Sequence, residues 1–181
     1  MINILLAFGT ALLVSILSSP ALIKVAHLKR LVDEPGEARK LHHRRIPTIG
    51  GIIIFAGTLF SFFLWFPFEA MHNVEEMGRA VKDFQYIGAT MIILFFIGIK
   101  DDIIGTAPVK KLIGHLIVAF ILVIMGDIRI TSMHGIFGIY ELPEWGGIFL
   151  SILTYTVIVN AINIIDGVDG LAGGVGVIAA T

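Results

Sequence analysis

The 181-residue chain is 56% hydrophobic, only 15% charged, and carries a net charge of -1 at neutral pH. This composition lies outside the range of ordinary soluble domains and indicates a protein whose solvent is a lipid bilayer. The near-zero charge gives no broad basic field, so we expect no nucleic-acid partner. The absence of cysteine excludes disulfides, thiolate metal sites and cysteine nucleophiles within this chain.

Uncharged stretches predict an all-α polytopic membrane protein, because a helix needs roughly 20 apolar residues to cross the hydrocarbon core. We predict five complete spans and the start of a sixth, at about residues 2–23, 46–68, 84–99, 110–126, 145–165 and 170–181. The first could instead be a signal peptide, but it lacks a basic start and a cleavage site. The last is still apolar at Thr181, so we expect a truncated single membrane domain, the N-terminal part of a longer protein.

The positions of Lys and Arg predict how these spans are oriented. Of the 13 such residues, Arg79, Lys82 and Arg129 fall on one side, and all the others fall within 24–45 or 100–111. This bias places the N-terminus outside an inner membrane and the loops at about 24–45, 100–111 and 160–170 in the cytoplasm. In the loop on the outer side, the alternation of apolar and polar residues near 128–140 predicts a short β-hairpin.

Two adjacent aspartates, Asp101 and Asp102, follow the third predicted span in the segment GIKDDIIG. Carboxylates beside hydrocarbon are costly and usually serve ions, protons or substrates. A divalent cation would allow both to stay ionised, and Mg²⁺ prefers such hard oxygen ligands while keeping positions for water and phosphate. The structural alternative is a solvated loop or helix cap with Lys100 as counterion.

A polar series ends the fifth predicted span in the segment NAINIIDGVDGLAGG. Asn160, Asn163, Asp166 and Asp169 recur every three residues, so a helical backbone would project them along one side. Such a stripe can bind hydroxyls, amides and a metal ion, although a polar seam between helices is the alternative. Because both acidic pairs fall on the predicted cytoplasmic side, we expect one site that contains all four aspartates.

The first cytoplasmic loop is basic through its Lys and Arg residues, reads DEPGEARKLHHRRIPTIGG and also contains His42 and His43. Arg39 and Lys40 supply a bidentate donor and a point charge suited to phosphates. Gly50 and Gly51 would let a ligand approach the backbone. The alternatives are a topology signal that attracts anionic lipid and glycines that serve helix packing.

Together, the three segments resemble the polyprenyl-phosphate N-acetylhexosamine-1-phosphate transferases, a superfamily of the glycosyltransferase family 4 type. It contains phospho-MurNAc-pentapeptide translocase and the UDP-GlcNAc:undecaprenyl-phosphate GlcNAc-1-phosphate transferases. The match runs in order from Asp33 to about Gly174, and IPTIGG and GIKDDIIG look closer to the GlcNAc branch. The resemblance implies a helical membrane bundle, Mg²⁺ dependence with Mn²⁺ as a substitute, a UDP-sugar donor, a polyprenyl phosphate acceptor and compatibility with a homodimer.

The resemblance also implies residue roles. The metal and catalytic residues would be Asp101, Asp102, Asp166 and Asp169, and the substrate-binding residues Arg39, Lys40, His42, Gly50, Gly51, Asn160 and Asn163. The expected reaction moves N-acetylhexosamine 1-phosphate from the UDP-sugar to undecaprenyl phosphate, releases UMP and initiates a cell-envelope polysaccharide. The alternatives are the phospho-MurNAc-pentapeptide transferase reaction of peptidoglycan synthesis, a membrane transporter and a lipid-binding scaffold.

Overall fold

The computed structural model describes residues 2–33, 46–47, 49–66, 73–166 and 171–180, and these are predominantly helical. The helices are α1 (Ile2–Leu28), α2 (Gly51–Trp65), α3 (Val74–Ile104), α4 (Pro108–Phe120), α5 (Glu144–Ile165) and α6 (Leu171–Ala180). A π-helical turn, Ile121–Met125, continues α4, and a 3₁₀ turn spans Ile136–Gly138. Two short strands, β1 (Val32–Asp33) and β2 (Ile46–Pro47), pair antiparallel.

Three of the described helical segments are long and apolar enough to cross a membrane: Ile2–Leu28, Pro108–Met125 and Glu144–Ile165. Most of their large apolar side chains are exposed, as expected where lipid is the solvent. The predicted helical class of membrane protein is therefore confirmed. The predicted number of spans and their orientation stay predictions.

Helix α3 is much longer than the predicted span 84–99, because it begins in a charged segment. The side chain of Asn73 caps its N-terminus by accepting a hydrogen bond from the Glu76 backbone N–H at 2.8 Å. Glu75 and Glu76 in the first turn stabilise the helix, because their negative charges lie at the positive end of its dipole. Counting uncharged residues found the apolar part of the helix but could not find this capped start.

The described chain divides into two compact units, Met1–Lys82 with Met91–Thr106, and Asp83–Thr90 with Ala107–Thr181. In the first unit, α1 packs closely on α2 through small residues. A Cβ at Gly57 would lie 3.4 Å from the carbonyl oxygen of Ala11, and the Thr10 hydroxyl donates to Ser61 Oγ at 3.1 Å. Small residues of this kind let membrane helices approach each other.

In the second unit, α4 and its π-helical extension pack against α5. Val118, Ala119 and Val123 are buried there. The loop after the π turn is fastened to α5, because the Ile130 backbone N–H donates to Ser151 Oγ at 2.7 Å. This contact holds the connection between two membrane-length segments against the helix that follows it.

The loop at 128–142 reverses direction where a hairpin was predicted. One antiparallel bridge joins Ser132 to Glu141, and the 3₁₀ turn forms the tip. Hydrogen bonds flank the bridge on both sides, from the Leu142 N–H to the Thr131 carbonyl and from the Met133 N–H to the Tyr140 carbonyl, but the pairing does not extend into regular strands. The tip turns back with left-handed backbone at Gly135 (φ 87°) and Gly138 (φ 76°). The hairpin prediction is thus right about the reversal and wrong about the strands.

Candidate functional site

The aspartate pair lies in the last turn of α3. The helix ends at Gly105, whose φ of 70° suits glycine and whose backbone N–H donates to the Asp101 carbonyl at 2.9 Å. Asp101 is half-buried and Asp102 is exposed. Carboxylates at a helix C-terminus meet the negative end of the helix dipole, which favours cations there.

Asp102 also lines an otherwise apolar pocket of about 350 Å³ between α2 and α3, within the first unit. The walls come from both helices and include Gly51, Phe55 and Thr58 of α2 and Met91, Phe95 and Gly98 of α3. The Phe55 and Phe95 rings stack with their centroids 4.1 Å apart. The pocket therefore combines an apolar wall with a carboxylate at one end of it.

Gly50 and Gly51 form the start of α2, as N-cap and first helical residue. A Cβ at either position would meet no atom within 4 Å, so neither glycine serves close helix packing among the described residues. Gly51 lines the pocket that Asp102 also lines. This arrangement favours the ligand-approach interpretation of Gly51 over the packing interpretation.

In the second unit, the described part of the polar series lies in the last turns of α5 and at its C-cap. Asn160 is half-buried and its Nδ2 donates to the Thr156 carbonyl at 2.8 Å. Asn163 is exposed, and its Oδ1 accepts from Lys111 Nζ at 2.8 Å. Asp166 is the exposed C-cap of the helix, with its backbone N–H bonded to the Ile162 carbonyl. The series is helical up to Asp166, as the three-residue spacing predicted.

Four predicted site residues, Arg39, Lys40, His42 and Asp169, lie outside the described residues. Within the described part of the chain, no three His, Asp or Glu side chains are grouped closely enough to hold a metal ion. Asp101 and Asp102 belong to one compact unit and Asp166 to the other. The shared metal site of the four aspartates therefore stays a prediction.

Two features of the site were not predicted from the sequence. Lys111 was counted only as a topology-determining charge, yet it hydrogen-bonds Asn163 across 52 residues of chain. An ammonium group can only donate, so this contact fixes the carbonyl oxygen of the Asn163 amide toward Lys111. The sequence could have indicated the α3 wall of the pocket, because Met91, Phe95, Gly98 and Asp102 recur at helical spacing and so share one face of the helix.

Helices of membrane-spanning length, with aspartates at helix ends, define a polytopic membrane protein that has polar chemistry at the edge of its apolar segments. Residues 84–181 match the family described as Glycosyl transferase family 4, and the chain belongs to that family. No solved structure matches the chain significantly.

Curated relatives with similar sequences bear closely related names. The chain is 30% identical over 157 residues to the undecaprenyl-phosphate alpha-N-acetylglucosaminyl 1-phosphate transferase of Escherichia coli O157:H7, covering 83% of this chain and 38% of the relative. It is 32% identical over 179 residues to the probable undecaprenyl-phosphate N-acetylglucosaminyl 1-phosphate transferase of Bacillus subtilis (strain 168), covering 98% and 46%. The chain thus spans less than half the length of these relatives.

These comparisons confirm the predicted resemblance, including the preference for the GlcNAc branch of the superfamily. The muramoyl-pentapeptide alternative is not favoured by the names of the relatives.

Proposed function

We propose that the protein containing this chain transfers N-acetylglucosamine 1-phosphate from UDP-GlcNAc to undecaprenyl phosphate and releases UMP. The family and the names of the relatives support this reaction. We place it at the cytoplasmic face of the inner membrane, in one membrane domain with five complete spans, the start of a sixth and the N-terminus outside. The apolar helices and the distribution of Lys and Arg support that arrangement.

The observation that carries the proposal is the position of the acids at helix C-termini. Asp101 and Asp102 lie in the last turn of α3, and Asp166 caps the C-terminus of α5. An acid at this end of a helix is unfavourable by about 0.3–1 kcal/mol, because it faces the negative end of the dipole. A bound cation would remove that penalty, so the acids are better explained by an ion than by helix stability.

The donor set fits Mg²⁺, with Mn²⁺ as a substitute. Asp101 and Asp102 are carboxylates within reach of water at the end of α3, which suits a hard ion that keeps several waters. We propose that some of Asp101, Asp102, Asp166 and Asp169 hold the ion. When bound, it would neutralise charge on the pyrophosphate of the donor and on the leaving UMP.

The reaction brings two anions together, so charge neutralisation and positioning are the main catalytic tasks. A phosphate oxygen of the acceptor forms a bond to the β-phosphorus of UDP-GlcNAc. The bond from that phosphorus to the bridging oxygen breaks, and UMP leaves with that oxygen and its electron pair. We assign charge neutralisation also to Arg39 and Lys40, and orientation of the acceptor phosphate to one of the four aspartates.

The remaining polar residues would hold the donor. Asn163 has its amide oxygen fixed by Lys111, which leaves the NH₂ group of the same amide to donate toward a ligand. We assign it, with Asn160 and His42, to binding of the nucleotide sugar. In the first unit, the pocket that Asp102 lines suits the acceptor lipid. Its apolar walls match an isoprenoid chain, and the carboxylate matches a metal-bound phosphate.

The test replaces Asp101 or Asp102 by Asn in the full-length protein reconstituted with undecaprenyl phosphate. UMP release from UDP-GlcNAc should fall on the order of 10²-fold in kcat, the scale of losing one preorganised electrostatic contact. Mass spectrometry of the lipid product, with UDP-GlcNAc and UDP-MurNAc-pentapeptide as competing donors, identifies the sugar. The thermal unfolding midpoint should not fall, because Asn removes a charge that the negative end of the helix dipole disfavours.

The matched control is Asp83→Asn, which removes an exposed carboxylate from the other part of the same helix and should keep parental turnover. Near-parental turnover of both site variants at limiting Mg²⁺ would refute the metal assignment. Failure of the parent protein to form any GlcNAc-containing lipid would refute the proposed function itself. Movement of an ion or sugar without UMP release would support the transporter alternative instead.

A further inference from the structure

The tip of the loop between α4 and α5 is unusually apolar for a connecting segment. Residues 130–140 contain no Lys, Arg, Asp or Glu. Their large side chains point away from the protein: Phe137 is 91% exposed, Tyr140 71% and Ile136 56%. Connecting loops normally present polar residues to water, so this loop has the surface of a membrane-contacting segment.

Most backbone N–H groups of this tip are paired within the loop itself. Seven backbone N–H groups between residues 133 and 142 donate to acceptors inside the segment 131–142, at 2.9–3.1 Å. They belong to Met133, His134, Gly135, Ile136, Gly138, Ile139 and Leu142. Lipid tolerates backbone only where its polar groups are paired internally, because no water is present to pair them. Within residues 133–140, six of the eight backbone N–H groups have such partners, so most of the donors at the tip are paired inside the loop without regular strands.

Phe137 adopts a conformation that bulky residues rarely accept. Its φ of 55° and ψ of 21° lie in the left-handed region, and His134 in the same turn has a φ of 50°. Such backbone costs free energy and persists where something compensates for it. The hydrogen bonds of the turn on both sides of Phe137 hold this conformation, while the described residues leave its side chain 91% exposed and its apolar surface without cover.

The position of the loop identifies a bilayer as that cover. The two segments that it joins, Pro108–Met125 and Glu144–Ile165, are both of membrane-spanning length. Both segments carry an exposed apolar residue near the loop, Met125 at 51% exposure and Trp145 at 75%. Trp and Tyr are the residues enriched at the boundary between lipid headgroups and acyl chains.

A charged cluster lies at the base of the same loop. Arg129 Nε lies 2.8 Å from Asp127 Oδ1, and an Arg129 guanidinium nitrogen lies 3.1 Å from Glu144 Oε1. The base of the loop is therefore ionic and the tip is apolar. This order suits a segment whose base sits among headgroups while its tip enters the acyl boundary.

We propose that the tip, residues 133–140, is an interfacial membrane anchor that inserts Ile136, Phe137 and Tyr140 into the headgroup and acyl boundary of the leaflet at this end of α4 and α5. The anchor fixes the depth and rotation of these two helices in the bilayer. Its partner is the lipid surface itself, and the proposal holds whether or not the proposed enzymatic reaction is correct.

The experiment places a fluorescent probe at the tip of the full-length protein in liposomes. This chain has no cysteine, so Phe137→Cys, with any cysteine elsewhere replaced by serine, gives one site for an environment-sensitive label. The control is Glu141→Cys, a charged and exposed position at the base of the same turn. Quenching is measured with nitroxide lipids that carry the spin on the upper part of the acyl chain, just below the headgroup, and separately with aqueous iodide.

We expect the label at position 137 to be quenched by the nitroxide lipid at least about twofold more than the label at position 141, because apolar side chains of interfacial segments sit below the headgroups. Iodide should show the reverse order. Quenching of both labels by iodide alone would overturn the proposal, since the tip would then lie in water. Protection from both quenchers would also overturn it, since protein would then cover the tip.

A second variant keeps the native aromatic character. Phe137→Trp, with Trp65, Trp145 and any tryptophan elsewhere in the protein replaced by Phe, allows the same comparison with brominated lipids and acrylamide. Agreement between this variant and the cysteine label supports insertion. Strong acrylamide quenching of Trp at position 137, without quenching by brominated lipid, would refute it.

Discussion

Two helices of this protein carry the same pair of small residues, Gly and Ser four positions apart, and use it differently. In α2, Ser61 Oγ donates to the Gly57 carbonyl at 2.7 Å, and in α5, Ser151 Oγ donates to the Gly147 carbonyl at the same distance. Both serines are buried. The local geometry is therefore the same at the two sites.

The partners of the two pairs differ. In α2, the pair faces another helix, and Ser61 accepts from the Thr10 side chain. In α5, the pair faces a loop, and Ser151 accepts from the backbone N–H of Ile130. A Cβ at Gly57 would meet its nearest neighbour at 3.4 Å, whereas a Cβ at Gly147 would lie 2.7 Å from the Ile130 carbonyl oxygen. The same motif thus gives a looser contact between two helices and a tighter contact between a helix and a loop.

The largest effect should come from Gly147→Ala. The added methyl group would overlap a backbone oxygen, which cannot rotate away as a side chain can, so the loop must shift. We expect a loss of about 2–3 kcal/mol in the free energy of unfolding in detergent, in the upper range for overpacking. The matched control, Gly57→Ala, should lose less than about 1 kcal/mol, because a gap of 3.4 Å needs only a small adjustment. Equal losses in the two variants would contradict the distinction.

Ser151→Ala should have the next largest effect. It removes the acceptor of the Ile130 N–H and leaves a part-buried backbone donor without its partner. The expected loss is about 1–2 kcal/mol, the cost of an unsatisfied buried group. Hydrogen exchange should also speed up at the Ile130 amide, and unchanged exchange there would show that this bond does not hold the loop.

Ser61→Ala should have the smallest effect. The Thr10 hydroxyl keeps two other acceptors, the carbonyls of Leu6 at 2.9 Å and Ala7 at 3.0 Å, so no donor is left unpaired. We expect about 0.6 kcal/mol, the average for side-chain hydrogen bonds between membrane helices. A loss as large as that of Ser151→Ala, measured under the same conditions, would mean that the two serines contribute equally to the free energy of unfolding.

The candidate site shows how far sequence reasoning reached. The positions of Asp101, Asp102 and Asp166 at helix ends were predicted, because charged residues cannot continue into an apolar span. The hydrogen bond from Lys111 to Asn163 was not predicted, because it joins two helices and no local pattern encodes it. The stacking of Phe55 on Phe95 beside Asp102 was missed for the same reason.

The sequence by itself determined that the protein belongs in lipid, that its structure is helical and which family it belongs to. Lengths of apolar sequence and short motifs are local properties, and in lipid a backbone must pair its own polar groups, so an apolar stretch of spanning length has to be helical. Only the tertiary structure decided which neighbour each small residue meets and how the loop after α4 turns. Those outcomes depend on contacts between distant residues, and so Gly57 and Gly147, alike in sequence context, have unlike surroundings.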